Sequence, residues 1–160
     1  MHWRERSQRR RAYNDPGHAH ELTFCCVKRH EFLRSDRTCK WLSEAIIAAR
    51  EEHCFALWAY VFMPDHVHLI IHPQKVNYDV RIILAAVKEP VGRQAVAHLR
   101  IHHPEWVKRL TVRKGSRNET RFWQPGGGFD RNLTEPATLL KMVDYIHMNP
   151  VRRRLEELPG

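Results

Sequence analysis

Residues 55–72 read FALWAYVFMPDHVHLIIH, two nearly unbroken apolar runs on either side of Pro64-Asp65. Short apolar runs rich in aromatic and β-branched residues fit buried strands. Phe55–Met63 therefore predicts one strand, and His66–His72 predicts its antiparallel partner, because a two-residue connection makes a tight hairpin. On a strand, side chains two apart share a face. His66, His68, Ile70 and His72 then look one way, while Val67 and Leu69 look into a core.

Reading outward on the N-terminal side, Leu22–Val27 (LTFCCV) predicts a first strand bounded by charge. Asp36 is placed to cap a helix whose apolar face is Trp41, Leu42, Ala45, Ile46 and Ala49. On the C-terminal side, Ile82–Leu99 carries a second helical pattern, with Glu89-Pro90 arguing for a break or kink. Residues 100–121 are basic and weakly patterned and read as a long loop. Phe122–Pro125 reads as a short strand running into Gly126–Gly128. Pro136–Met148 is the last helix, with Leu139, Leu140, Val143 and Ile146 on one face. The order of elements predicts an α+β fold: a split βαββαβ antiparallel sheet backed by helices, with an added C-terminal helix.

The chain has 160 residues and a formal net charge of +9, one domain's worth of sequence with material for one core. We expect a basic flexible arm over residues 1–20 and a single domain over 21–160. No apolar stretch is long enough for a membrane span, and the arginine-rich start is not followed by the apolar region of a secretory signal. Cys25, Cys26, Cys39 and Cys54 have no CxxC spacing, which fits free thiols in a reducing cytoplasm. Of the 27 cations, 20 are arginine. Guanidinium forks match phosphate bidentately, so this excess points toward nucleic acid, against the alternative of a merely solvated basic surface.

Two constellations carry chemistry. Neutral imidazole is the commonest transition-metal ligand, and His66 and His68 can reach one ion from the same strand face. With 12 histidines in the chain, about one HxH pair arises by chance. His18-Ala19-His20 is such a decoy, so the strand context is what singles out the second pair. In the last helix Tyr145 and Asn149 are four apart and share a face. A phenol can attack a phosphodiester when a cation withdraws charge, and the Asn149 amide oxygen can complete a His-His-Asn set suited to Mg²⁺ or Mn²⁺. Against this, Asn149-Pro150 is also a helix start, with Asn as N-cap and Pro at the first position, and Tyr145 can be an ordinary half-buried aromatic.

The stretch YVFMPDHVHLIIHP resembles the HUH signature of single-tyrosine transposases. DYIHMNPVRRRL resembles the tyrosine helix of REP-associated tyrosine transposases, and FWQP some twenty residues earlier resembles a third block. The three occur in the family's order and cover about residues 55–155. The resemblance implies a ferredoxin-like fold and metal-dependent nicking and joining of single-stranded DNA beside a hairpin, through a 5′-phosphotyrosine. Carried over by residue, Tyr145 is the nucleophile, and His66 and His68 hold a divalent metal, Mg²⁺ or Mn²⁺. Asn149 falls where the family places a polar residue one turn beyond the tyrosine, often as a third ligand. The absence of a second tyrosine one turn from Tyr145 excludes the two-tyrosine scheme.

DNA contacts are expected from Arg9, Arg10 and Arg11 in the arm, from Arg113, Lys114, Arg117 and Arg121, from Trp123 by stacking and from Gln124 by hydrogen bonding. Trp106, Tyr78 and Phe129 are further stacking surfaces. Gly126–Gly128 replaces bulkier residues of the pattern, implying a looser hold on the tyrosine helix. The expected setting is cytoplasmic and nucleoid-associated, as a monomer or homodimer. The alternative from another class is a non-catalytic module that binds single strands through aromatics and basic charge.

Overall fold

The computed structural model describes residues 13–126 and 128–152. Four strands form one sheet: β1 (Ala19–Cys25), β2 (Phe55–Met63), β3 (His66–Pro73) and β6 (Phe129–Leu133), in the order β2-β3-β1-β6. All three pairings are antiparallel. This is the order of a ferredoxin-like split βαββαβ unit, as the element sequence predicts. Helices α1 (Asp36–His53) and α2 (Val80–His102) follow β1 and β3. A short helix α3 (Pro104–Leu110) and a separate hairpin of β4 (Thr111–Lys114) and β5 (Arg117–Thr120) come next, and α4 (Pro136–Arg152) closes the described chain.

Strand alternation divides the apolar residues between two faces. Leu22, Phe24, Val67, Leu69 and Ile71 point to α1 and α2 and meet Leu42, Ala45, Ile46 and Ala49 of the first helix and Ile83, Leu84, Val87 and Val91 of the second. Each such fully buried aliphatic or aromatic side chain contributes about 1.5–3 kcal/mol relative to exposure. On the other face Ala19, Ala59, Ile70 and Leu133 take Ile146 of α4, with Leu139, Met142 and Val143 packed beside it. The helical spacing 139, 142, 143, 146 is one stripe of α4, and it fixes which residues come next over the sheet.

Several local expectations are corrected. Ser35, not Asp36, is the N-cap of α1, and Asp36 is its first residue. The second helix runs from Val80 to His102 through Pro90. Residues 104–120 form a helix and a hairpin rather than a loop, the Gly115-Ser116 turn joining β4 to β5. Phe122–Pro125 is not the fourth sheet strand: only Trp123 bridges to Cys26, and β6 takes the edge position. Helix α4 passes through Asn149 and Pro150 to Arg152, so Asn149 is not the N-cap of a new helix. The domain core begins at Ala19, inside the stretch expected as an arm. Arg9, Arg10 and Arg11 lie outside the described residues. Among the described residues no helix is long and apolar enough to cross a membrane.

Candidate active site

The register of β1 with β3 sets Thr23 opposite His68 and Cys25 opposite His66. His66 and His68 share the α4 side of the sheet with Ile70, which α4 covers. Both histidines are buried, 5% and 8% exposed. Their Nε2 atoms lie 3.1 Å apart. Extending the apolar stripe of α4 by three residues from Ile146 places Asn149 over the pair, and its Nδ2 lies 3.1 Å from Nε2 of His68. Tyr145, one turn back on the same helix, sets its ring edge-on to that of His68 with centroids 6.1 Å apart. It remains 38% exposed. The four residues singled out from the sequence are thus brought together.

The groups behind the imidazoles determine which nitrogens face inward. His66 Nδ1–H donates to Asp65 Oδ1 at 2.6 Å, which turns Nε2 toward His68. His68 Nδ1 is bonded to the Thr23 hydroxyl at 2.7 Å. Burial, then the neighbouring His66 and Arg29, push the His68 pKa down to about 4, so this ring is neutral near pH 7. Two imidazole Nε2 atoms 3.1 Å apart match the edge between adjacent ligands bonded at about 2.1 Å to one six-coordinate ion, about 3.0 Å. Asn149 supplies a third donor if its amide oxygen takes the position of Nδ2, since the two amide orientations are isosteric. Among the described residues no third His, Cys, Asp or Glu joins the pair. The donor set fits an open site that keeps positions for substrate oxygens, not a closed structural one.

Asp65, Thr23 and Arg29 escaped the reading of the sequence. Asp65 was legible only as a turn residue. It forms an ion pair with Arg29 as well as the bond to His66, its Oδ2 lying 2.8 Å from Arg29 Nε. A carboxylate directly preceding the first histidine of the pair was the available signal.

Other expected contacts are distributed differently. Trp123 is a core residue, 8% exposed, edge-on to Phe24 and Phe122 and donating Nε1–H to the Lys88 carbonyl. Its burial removes it as a stacking surface. Trp106 packs against His30 and Phe32, while the Tyr78 hydroxyl bonds His20 and the Asp15 carbonyl. Phe129 stays partly exposed opposite Thr23, beside the site. Gln124 is held at the end of β1, its N–H donating to the Cys25 carbonyl and its Oε1 accepting from the Lys28 N–H. Arg113, Lys114 and Arg117 lie on the separate hairpin, with Arg121 just after it. Arg121 and Lys114 are paired with Glu119.

His20 bonds Asp130 and Tyr78, while His18 bonds Asn132, so that pair shares no focus. Gly128 sits directly against β1. A Cβ there would lie 2.1 Å from the Thr23 carbonyl oxygen, and its φ of +70° favours glycine. The glycine lets the chain press against the strand residue that holds His68.

Residues 17–149 match the family described as IS200-like transposase. A REP-associated tyrosine transposase solved bound to a REP hairpin is similar at 20% identity and TM-score 0.71, covering 93% of this chain and 76% of that one. A candidate transposase from Deinococcus radiodurans is similar at 20% identity and TM-score 0.52, covering 87% and 95%. At that identity the two structures speak for the fold. No curated protein matches the chain.

Proposed function

The chain belongs to the IS200-like transposase family, and from that premise we propose that it nicks and rejoins single-stranded DNA beside a hairpin, with Tyr145 as nucleophile. The observation that carries the reading is the meeting of the Tyr145 ring with His68 at 6.1 Å, next to a pair of facing imidazole nitrogens. His66, His68 and Asn149 would hold a divalent metal, Mg²⁺ or Mn²⁺. When bound, it supplies charge neutralisation at the phosphate oxygens.

The protein's own part is positioning. Tyr145 Oη attacks the phosphorus of the scissile phosphodiester. A Tyr O–P bond forms, the P–O3′ bond breaks, the phenol proton leaves to solvent, and the released O3′ takes up a proton. The 5′-phosphotyrosine keeps the ester energy, so attack by a later 3′-OH restores the DNA and the phenol without a nucleotide cofactor. Asp65 and Thr23 keep the two rings turned so that Nε2 faces inward. Packing of Ile146 against Ile70 and Ala59 keeps the helix, and so the phenol, over the sheet.

Substrate is expected to be a DNA hairpin with a single-stranded flank, bound partly through counterion release. The REP hairpin bound by the similar transposase and the basic excess of this chain support that class. Incubating such oligonucleotides with Mg²⁺ or Mn²⁺ and resolving products on a denaturing gel tests the reading. A covalent protein–DNA product and a free 3′-OH fragment are expected. Binding that is indifferent to chelator, with no covalent product under any metal, would leave only a binding module.

A further inference from the structure

Arg29 is a cation fixed beside the site by three separate features. Its Nε lies 2.8 Å from Asp65 Oδ2, and the other oxygen of that carboxylate accepts from His66 Nδ1. Its Nη1 donates to Cys25 Sγ at 2.8 Å, and Cys25 stands opposite His66 in the sheet. The backbone that delivers it is left-handed at two consecutive non-glycine residues, Lys28 at φ +50° and Arg29 at φ +58°. Such conformations cost roughly 1–3 kcal/mol each and persist only where the surroundings hold them.

Held in this way, the side chain is still 53% exposed. A structural ion pair has no need of a strained turn to present a guanidinium to solvent next to two histidines. Asp65 offsets part of the charge of Arg29 but also fixes the plane of the fork, and pre-organised forks lose less entropy when they take up an oxyanion.

Resting on the reading of the site as a DNA-nicking centre, we infer that Arg29 anchors a backbone phosphate of the single strand, within one nucleotide of the phosphate that reacts. Asp65 then has two jobs at once, orienting a ligand histidine and aiming the phosphate-binding fork. The contact is to substrate in its ground state as well as during reaction, so it can be read from binding alone.

The test uses the full chain in metal-free buffer and a hairpin oligonucleotide with a single-stranded flank. The reacting phosphate and its two neighbours are replaced one at a time by an uncharged methylphosphonate. In the wild type, one position is expected to weaken binding about tenfold, the size of a charge-assisted contact. In Arg29→Gln that position-specific penalty should vanish. Arg29→Lys keeps the charge without the fork, so it should retain only about a threefold penalty, and it serves alone if the glutamine variant does not fold. An identical penalty profile in wild type and variants overturns the inference. Failure of the wild type to form a covalent product in the parallel gel assay would overturn the nicking reading instead, so the two failures are distinguishable.

Discussion

Asn149 Nδ2 lies 3.1 Å from His68 Nε2 across 81 residues of sequence, so the end of the last helix is fastened to a central strand at the site itself. The apolar stripe of α4 brings the helix down on the sheet, and the stripe ends in this amide. The same turn carries Tyr145. Removing the amide should therefore affect placement of the phenol as well as the donor set. Asn149→Ala is expected to lower covalent-product formation at least tenfold while leaving oligonucleotide binding within about twofold. Retention of full product yield would separate Asn149 from the chemistry.

Thr23 holds His68 from behind. Thr23→Val keeps the shape but deletes the hydroxyl, and losing such a supporting bond typically costs about 10–100-fold in metal affinity. Calorimetric titration with Mn²⁺ should show that loss with an unchanged fold. Equal affinity in the two proteins would mean that the hydroxyl does not orient the ring.

Gly128 meets Thr23 on the backbone side. Gly128→Ala must both adopt a left-handed φ and clear a carbonyl oxygen that a Cβ would approach at 2.1 Å. The expected cost is about 2 kcal/mol or more, read as a fall in thermal midpoint. A substitution that leaves the midpoint unchanged would show that this segment is not packed on β1.

The hairpin and the histidine face were readable because short-range rules decide them: two apolar runs, a two-residue turn and a period of two. The core on the α1 and α2 side was readable from helical spacing for the same reason. Strand β6 was not, because FDRNL is mostly polar, and its place depends on partners in β1, such as His20 for Asp130. Trp123 looked like a surface aromatic among basic residues, yet Phe24 and the Lys88 carbonyl, both distant in sequence, bury it. The β4–β5 hairpin did carry a signal, a Gly-Ser pair of hairpin type shortly after the β-prone Thr111-Val112, that the surrounding charge obscured. Asn149-Pro150 satisfied two local rules equally well, and the contact with His68 distinguishes them.

Glu21 makes one contribution to the pH dependence of stability. Burial raises its pKa, an effect that Arg131 partly offsets, and Oε2 has no hydrogen-bond partner among the described residues although Arg131 Nε is 3.3 Å away. A carboxyl whose folded-state pKa lies above its unfolded value contributes stability at low pH, and this is lost as pH rises through the folded-state value. Glu21→Gln should thus raise the thermal midpoint near pH 7 and have little effect near pH 4. A lower midpoint near pH 7 would mean that the pair with Arg131 outweighs burial.

The central claim is tested most directly by comparing wild type with Tyr145→Phe on a denaturing gel, using a labelled hairpin oligonucleotide and Mg²⁺ or Mn²⁺. The ring contact with His68 survives the substitution, so binding should persist while the covalent band disappears completely. A Phe variant that forms the band as well as the wild type would show that another residue attacks the DNA.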